Sequence, residues 1–209
     1  MASDARAALV EAAVAVLRES GFAGASARRI AQRAGCNQAL VFYYFGSVND
    51  LLVAALEKVS AQRMAEYRQL LERTGSLTEL IAGARSVFEA DLDAGHVRVL
   101  TEMISGAQSA PGLGERVAAC LAPWRDFAAD AVRAVLAASP VGGLLSAEEA
   151  AHAVLAGFLG MEMLTSLDGD RAPALALFDR AQEIGAFLDQ MGPIIALLNL
   201  GGAQQKEGN

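Results

Sequence analysis

Long helix-forming stretches, broken at intervals by glycine, run through almost the whole of this sequence. Alanine and leucine dominate these stretches, only five prolines occur, and alternation of β-branched with polar residues is nearly absent. Alanine and leucine are strong helix formers, whereas a half-buried strand needs an alternating pattern. The predicted fold class is therefore all-α.

Serine caps and glycine stops divide the sequence into separate helices. Ser26 and Gly35 enclose a short second helix, and Ser76 and Ser146 begin capping boxes. Pro123 is expected to kink a helix or to mark a new first turn. The predicted helices cover about residues 4–20, 27–34, 38–45, 47–73, 76–94, 96–105, 115–138, 146–167 and 172–191, the last resuming up to 200, with breaks at 106–114 and 139–143.

Length and composition exclude several classes of protein. With 209 residues, 54% of them hydrophobic and 20% charged, the chain can bury a core, so its body is not intrinsically disordered. No run reaches the ~18 apolar residues of a membrane span, and the N-terminus lacks the pattern of a secretory signal. Cys36 and Cys120 lie far apart, which excludes a disulfide framework and a zinc ribbon. We therefore expect a cytoplasmic protein with reduced thiols and no membrane partner.

The charge of the chain is divided unevenly. The formal net charge is −7, but the first 60 residues contain six basic and five acidic side chains, a net charge of +1. No acidic residue lies between Glu19 and Asp50, whereas Arg28, Arg29 and Arg33 do. A non-acidic patch on an acidic body is compatible with DNA binding through one small surface, although an ordinary solvated helix face would look the same.

Residues 26–45, SARRIAQRAGCNQALVFYYF, have the layout of a helix-turn-helix. Two short helices are separated by Gly35 and about three turn residues. In such a motif the second helix lies in the major groove of DNA and the first crosses the backbone. A helix this short needs the long helices on either side as a clamp. The side chains expected to pack inward are Ile30, Ala31, Ala34, Val41 and Phe45.

This segment resembles the TetR family of transcriptional regulators. The resemblance lies in Ser26-x-x-x-Ile30-Ala31-x-x-Ala34-Gly35, then Phe45-Gly46-Ser47 and Asp50-Leu51-Leu52, and it covers about residues 5–59. It implies a three-helix, helix-turn-helix DNA-binding domain over 1–46 and a helical effector-binding and dimerisation domain over 47–209. It also implies a homodimer, usually a repressor, that binds double-stranded DNA and a small effector, with no enzymatic activity and no cofactor.

Seven residues are the candidate DNA contacts. Gln38 has the donor and acceptor needed to pair with adenine, and Tyr43 puts an aromatic hydroxyl on a face where a core residue is not expected. Ser26 is a helix cap that could also meet a phosphate, and Arg28 lies within reach of one. The full set is Ser26, Arg28, Asn37, Gln38, Ala39, Tyr43 and Tyr44.

The sequence departs from the family pattern where the family usually contacts phosphates. The family usually has tyrosine at position 42 and lysine at position 48, where this chain has Phe42 and Val48. Phe42 is predicted to pack rather than to contact DNA. Arg29 and Arg33 are assigned to solvation or ion pairing.

The C-terminal part carries an apolar set that is either plain core or the lining of a cavity between helices. If it lines a cavity, we expect a small hydrophobic effector. Glu162 is unusual, because it lies in an otherwise apolar stretch, where it either orients a ligand or faces solvent. The candidate ligand-binding residues are Phe88, Met103, Trp124, Phe127, Phe158, Met161 and Glu162.

Two C-terminal helices are candidates for a dimer interface. The helix at 146–167 has a small-residue face that includes Gly157 and Gly160, and the helix at 172–191 has more apolar area than one packing stripe needs. Packing within the subunit is the competing interpretation. A dimer would present two recognition helices to a palindromic operator.

Two other classes of function stay open at this point. An all-α enzyme acting on a lipid-like substrate would use His96, Glu102 or Glu162 as acid–base groups, but no convergent motif is present. A helical adaptor without a DNA role is compatible with the acidic body. His96 and His152 lack a second His or Cys at ligand spacing, so no metal site is expected.

Overall fold

The helical fold is described by a computed structural model for residues 2–137 and 146–206, with side chains for residues 4–134 and 146–191. Within these ranges the chain forms nine α-helices and no strand, which confirms the all-α prediction. The helices are α1 Ala2–Ser20, α2 Ala27–Ala34, α3 Ala39–Phe45, α4 Val48–Arg73, α5 Leu77–Ala94, α6 His96–Ala107, α7 Leu113–Ala137, α8 Ala147–Asp168 and α9 Ala172–Lys206.

Serine caps set the start of several helices, as predicted. Ser146 and Glu149 form a complete capping box at α8, with N···O distances of 3.0 and 3.1 Å. At α5 only half of the box forms, because Glu79 donates its N–H to Ser76 but turns its carboxylate to the N–H of Gly75. A single side-chain oxygen is sufficient to satisfy one of the free N–H groups of a first turn.

Two helices contain a proline. α7 runs through Pro123, so the alternative of a new first turn at that residue is wrong. α9 continues through Pro193 to Lys206 without the interruption predicted after 191 and beyond the predicted end at 200. A proline inside a helix removes only the hydrogen bond of its own N–H and crowds one carbonyl, so strong helix formers on both sides sustain the helix. The break predicted at 139–143 lies outside the described residues.

The chain divides into two compact units. The first unit contains the described residues up to Glu66 together with Ala90–Ala122, and the second contains Tyr67–Glu89 together with the described residues from Pro123 onward. The functional boundary expected after residue 46 stays a prediction, because compactness does not test which residues bind DNA.

The core of the first unit fixes the positions of the two short helices. Leu17 of α1, Ile30 of α2, Val41 of α3 and Leu51 of α4 are each 0% exposed and belong to one hydrophobic cluster. Full burial of such a side chain contributes about 1.5–3 kcal/mol. The seven residues of α3 could not form a stable helix alone, and this shared core supplies the clamp.

Candidate nucleic-acid interface and aromatic cluster

The start of α2 is fixed by the cap predicted at Ser26. The backbone of Ser26 is extended, with φ −108° and ψ 154°, and its hydroxyl oxygen accepts a hydrogen bond from the N–H of Arg29 at 3.3 Å. This is the geometry of an N-cap. The Ser26 hydroxyl retains its own proton as a donor on an exposed surface.

Gly35 turns the chain between the two helices. It lies in the left-handed region, with φ 67°, and its N–H reaches the carbonyl oxygens of Ala31 and Gln32. The N–H of Cys36 also donates to the carbonyl of Ala31, at 3.0 Å. A Cβ at Gly35 would meet no atom within 4 Å, so the backbone angle alone requires glycine here.

Asn37 begins the second helix of the motif. Its side-chain oxygen accepts a hydrogen bond from the N–H of Ala39 at 2.8 Å, which satisfies a free donor at the start of α3. One side of α3 is buried through Val41, with Tyr44 and Phe45 half-buried against the same core. The opposite side of the motif is exposed and consists of Asn37, Gln38, Ala39, Phe42 and Tyr43. We call these five residues the α3 face.

Phe42 and Tyr43 are the most prominent side chains of the α3 face. Tyr43 is 78% exposed and Phe42 is 52% exposed, so the prediction that Phe42 packs in the core is wrong. Consecutive helical residues are turned by about 100°, and with Val41 pointing into the core the next position points away from it. Tyr44 is half-buried and meets the ring of Tyr43 edge-on, with the ring centroids 4.9 Å apart.

Three arginines of α2 differ in their partners. Arg33 pairs with Glu19 at 2.6 Å, as the ion-pairing assignment predicted. Arg28 and Arg29 are exposed, and neither forms an ion pair with another residue of the described part of the chain. Two guanidinium groups on the exposed surface of α2 are therefore available to phosphates.

The start of α4 differs from the pattern expected of a phosphate contact. Val48 is half-buried and packs against the core of the first unit. Ser47 caps the helix by accepting from the N–H of Asp50 at 3.1 Å, and Arg116 lies 2.6 Å from the Asp50 carboxylate. The hydrogen bond from the Ser47 hydroxyl, with a smaller contribution from Arg116, holds the pKa of Asp50 below its ordinary value. Asp50 therefore stays ionised in this turn.

An aromatic cluster occupies the second unit. Tyr67 meets Trp124, Phe127 and Phe158 edge-on, with centroid distances of 5.5, 6.3 and 6.0 Å. Phe88 lies 5.6 Å from Phe158 and 5.3 Å from Phe178. Aromatic rings prefer such edge-to-face and tilted arrangements. We call these six side chains the aromatic cluster: Tyr67, Phe88, Trp124, Phe127, Phe158 and Phe178.

The predicted ligand-binding residues divide between the two units. Phe88, Trp124, Phe127 and Phe158 meet in the aromatic cluster. Met103 instead is fully buried in the core of the first unit, with residues of α1 and α4. Met161 is half-buried, and Glu162 is only 7% exposed, which excludes the interpretation that this acid faces solvent.

Two members of the aromatic cluster were not among the predicted ligand-binding residues. Tyr67 lies on the predicted helix at 47–73, and Phe178 lies on the predicted helix at 172–191, which was considered for a dimer interface. Phe178 is in fact 7% exposed and packs inside the second unit. The signal for both was their helical spacing, which indicates an inward face but not the residues that meet there.

Two of the three acid–base groups considered for an enzyme, His96 and Glu102, have structural partners in the first unit. His96 Nδ1 lies 3.1 Å from a carboxylate oxygen of Asp91, and Asp91 also pairs with the buried Arg63. Burial, followed by the charges of Arg18 and Arg63, lowers the pKa of His96. The Glu102 carboxylate accepts the N–H of Phe22 at 2.9 Å. Within the described residues no three His, Cys, Asp or Glu side chains are grouped for a metal ion.

Large apolar side chains remain exposed on α8 and α9. On α8 the exposed fraction reaches 82% at Leu167, and on α9 it is 61% at Ile184 and 62% at Phe187. Only 17% of the most apolar window of α8 is buried, and by length and composition alone this helix could cross a membrane. The full set of exposed large apolar residues on the two helices is Val154, Met163, Leu164, Leu167, Leu177, Ile184 and Phe187.

The helix-turn-helix has a counterpart among known protein families. Residues 9–55 match the sequence model of the bacterial regulatory proteins of the tetR family. That range contains all of α2 and α3, the Gly35 turn and the whole α3 face. This match confirms the resemblance of the N-terminal segment to the TetR family.

Known proteins match the chain over different lengths. The HTH-type transcriptional repressor NicS of Pseudomonas putida is 35% identical over 78 residues, which are 35% of this chain. The match spans only 37% of NicS. Among solved structures, a TetR-family regulator of Agrobacterium tumefaciens has a TM-score of 0.71 at 19% identity, covering 88% of this chain and 98% of that one.

A second solved structure is the transcriptional regulator FadR of Bacillus subtilis in complex with stearoyl-CoA. It has a TM-score of 0.72 at 17% identity and covers 88% of this chain and 97% of FadR. At these identities the two structural likenesses concern the fold. They include the C-terminal helices, which the family match at residues 9–55 does not reach.

Proposed function

We propose that this chain is a cytoplasmic repressor of the TetR family that binds a palindromic operator as a homodimer and leaves the DNA when a small hydrophobic effector binds. The α3 face carries this proposal. It presents the amide of Gln38 and the hydroxyl of Tyr43, and the preceding helix of the motif carries the exposed Arg28 and Arg29. Amide groups suit base edges in the major groove, while arginines and hydroxyls suit phosphates.

The exposed apolar residues of α8 and α9 support a homodimer. Monomeric soluble proteins rarely expose contiguous apolar patches of several large side chains. The opposite side of α8 packs inside the second unit through Ala151 and Thr165, so this helix has one face for its own subunit and one left over. A second copy of the same helices would cover the remaining face through two-fold packing, and this explains α8 without a membrane.

The aromatic cluster supports an apolar effector. Its six rings come from five helices, α4, α5, α7, α8 and α9, and apolar and aromatic side chains that converge between helices are the usual lining of a site for an apolar ligand. The FadR structure with stearoyl-CoA is a precedent for a ligand within this fold. A ligand releases DNA only through its different affinity for the two conformations, and a hundredfold change requires about 2.7 kcal/mol.

Selection of binding sites from random duplex DNA tests the proposal directly. We expect an enriched inverted repeat whose half-sites are centred about 34–36 Å apart, or one helical turn. Sedimentation of the DNA-free protein should give a dimer at micromolar concentration. A monomer that selects no duplex would contradict both parts of the proposal.

Charged substitutions on α9 test the dimer interface without changing any residue of the α3 face. Ile184→Glu and Phe187→Glu should dissociate the dimer and weaken operator binding, because each buries a charge in the proposed interface. Ala61→Glu adds the same charge at an exposed position of α4 and should leave the dimer intact. Equal sedimentation of all three variants as dimers would place the interface elsewhere.

A further inference from the structure

A cleft of about 310 Å³ lies within the second unit, between the end of α4, the start of α5, α7 and α9. We call it the α5 cleft. Leu71 follows Tyr67 by four residues on α4, and Ala131 follows Phe127 by four residues on α7. Because residues four apart lie next to each other on a helix, the cleft begins one turn from the aromatic cluster. Its apolar lining consists of Leu71, Leu77, Leu80, Ala131, Ala134 and Leu188.

Contacts between α5 and α9 hold one wall of the α5 cleft in place. A Cβ at Gly185 of α9 would lie 3.0 Å from Cδ1 of Ile81, so the two helices approach closely. One turn further along α9, Asp189 accepts the N–H of Thr78 at 3.0 Å and its hydroxyl at 2.7 Å. Leu188, which lines the cleft, comes between these two contacts in the sequence. A wall that is fixed in advance lowers the cost of binding a ligand.

The wall formed by α7 leaves space because its side chains are small. Ala131 and Ala134 present only methyl groups to the α5 cleft, whereas the other walls present leucines. Ligand sites usually have volumes of about 300–1,000 Å³, so a cleft of this size accepts only a small molecule. Aliphatic walls favour an aliphatic group in it.

The polar residues of the lining do not favour a charged ligand. Asp189 is already compensated by three hydrogen bonds from the start of α5 and by the positive end of that helix. None of the ten described residues that line the cleft is basic. A carboxylate or an ammonium group would therefore lose its hydration without meeting an opposite charge that still needs a partner.

Two hydroxyl groups of the lining suit a neutral polar group instead. Ser76 accepts the N–H of Glu79 at 3.2 Å and keeps its own proton to donate. Thr74 donates to the carbonyl oxygen of Leu71 at 3.2 Å and keeps lone pairs to accept. A ligand hydroxyl both donates and accepts, so it matches this pair.

We propose that the α5 cleft binds a small neutral aliphatic alcohol and that this alcohol is the effector. Its alkyl chain packs against the leucines and alanines, and its hydroxyl group meets Thr74 and Ser76. The proposal rests on the proposed function for the role of the ligand, and it adds the site and the chemical class.

Three probes of equal chain length test the charge preference: hexanol, hexanoate and hexylamine. Each is titrated into the full chain without DNA at neutral pH, with binding followed by calorimetry. We expect hexanol to bind at least about tenfold more tightly than either ion, because neither ion recovers the cost of its desolvation. Equal affinities, a preference for either ion, or no binding of hexanol would overturn the proposal.

A series of alcohols from butanol to decanol tests whether the site is bounded. The affinity should increase about fourfold for each added methylene and then stop increasing once the cleft is filled. A steady increase as far as decanol would indicate unspecific apolar association and contradict a cleft of about 310 Å³.

Substitution of one alanine locates the alkyl chain. Ala131→Leu should fill the α5 cleft and weaken hexanol binding at least about tenfold, with an equal or higher melting temperature, because filling a cavity usually stabilises a fold. Ala82→Leu adds the same atoms at an exposed position of α5 outside the lining and should leave the affinity unchanged. Equal hexanol affinity of the two variants would contradict this location.

Substitution of one threonine locates the hydroxyl group of the ligand. Thr74→Val should weaken hexanol binding about fivefold, the effect of one lost hydrogen bond. Thr101 of the first unit also donates to the carbonyl oxygen three residues before it, at 3.1 Å, so Thr101→Val is a matched control that should bind hexanol unchanged. Equal affinities of these two variants would contradict the assigned position.

The probes on the unaltered chain decide the ligand class even if a variant fails to fold, and they keep it separate from the proposed function. A chain that binds hexanol but selects no duplex would retain the cleft and refute the repressor. A chain that selects an inverted repeat but does not bind hexanol would retain the repressor and refute the cleft. Binding of hexanol without a change in operator affinity would refute its role as effector.

Discussion

Asp189 of α9 caps the start of α5 through Thr78. One carboxylate oxygen accepts hydrogen bonds from the N–H of Thr78 at 3.0 Å and from its hydroxyl at 2.7 Å, and the other accepts the N–H of Leu77 at 3.0 Å. The first N–H groups of a helix have no partner within that helix. These hydrogen bonds, those from Thr78 first, lower the pKa of Asp189 from its ordinary value.

Removal of the Asp189 cap should lower the stability of the protein by an amount that depends on pH. Asp189→Ala should lower the free energy of unfolding by about 1 kcal/mol near neutral pH, the usual effect of losing a side-chain cap. Because the folded state lowers the pKa of Asp189, the stabilisation is present above the ordinary carboxyl value and is lost as pH falls through the folded value. Urea unfolding should therefore show the two proteins converging below about pH 4.

A second acidic residue of α9 provides the control for this measurement. Glu183 pairs with Arg180 at 2.6 Å, but its side chain is 65% exposed, and such surface pairs contribute little. Glu183→Ala should remain close to the unaltered protein at every pH. A difference between Asp189→Ala and the unaltered chain that stays constant down to pH 3 would show that the cap does not depend on ionisation.

Substitution of Gly35 should lower the stability of the protein because of its backbone conformation rather than through a lost hydrogen bond. Gly35→Ala should destabilise the protein by about 1 kcal/mol, because φ is 67° and a side chain there disfavours the left-handed region. Gly35→Asn should retain more of the stability, since asparagine tolerates this region better. Thermal unfolding of both variants measures the difference. Equal losses would mean that the added atoms, rather than the backbone angle, cause the effect.

Short-range signals account for what the sequence predicted well. The cap at Ser26, the stop at Gly35 and the Asn37 turn act within three or four residues, and α2 begins and ends where they indicated. Together with the inward residues Ile30 and Val41, these signals were sufficient to locate the helix-turn-helix. Pro123 is also a local signal, but its effect depends on how strongly its neighbours favour a helix.

The features that the sequence did not predict depend on contacts between residues that are distant in the chain. The seven residues of α3 make only about two turns, too few for periodicity to decide which ring of its aromatic run points inward, so Phe42 was misassigned. Met103 and Phe88 both have helical spacing, but tertiary packing assigns them to different units. The cap between Asp189 and Thr78 spans 111 residues and has no local pattern at all.

Base reading by the α3 face is tested by two substitutions with different consequences. Gln38→Ala should relax sequence preference at one position of each half-site and cost about 1–3 kcal/mol of binding, because a bidentate contact to adenine is lost. Tyr43→Phe should weaken binding to all duplexes with little change in preference, because only a hydroxyl is removed. Repeated site selection and affinity measurement with each variant separate the two effects. Selection of the original site with unchanged affinity by both would contradict the role of the α3 face.

Substitution of Phe42 by tyrosine should increase the affinity for DNA rather than lower it. It is 52% exposed, so Phe42→Tyr should add a hydroxyl to the α3 face with no change in melting temperature. A hydroxyl can donate to a phosphate, and the affinity for every duplex should increase by about 0.5–1.5 kcal/mol, the net value of one hydrogen bond. The salt dependence should stay the same, because no charge is added. A fall in affinity would instead indicate that the bare ring itself contacts an apolar group of the DNA.

At Val48 a substitution can add a positive charge, whereas Phe42→Tyr adds only a hydroxyl. Val48→Lys should raise the affinity for all duplexes, cognate or not, and steepen the slope of log K against log salt by about 0.9 for each added phosphate contact. Val48 is half-buried against the core of the first unit, so the lysine stem must take over its apolar contacts while the ammonium reaches solvent. A cation in the first turn of α4 also opposes the helix dipole, which costs about 0.3–1 kcal/mol and should lower the melting temperature slightly.

Measuring the salt slope and the melting temperature on the same Val48→Lys protein separates a phosphate contact from a role in the core. A steeper slope with a small thermal loss would identify position 48 as a phosphate contact that this chain lacks. An unchanged slope with a large thermal loss would show that Val48 acts only in the core.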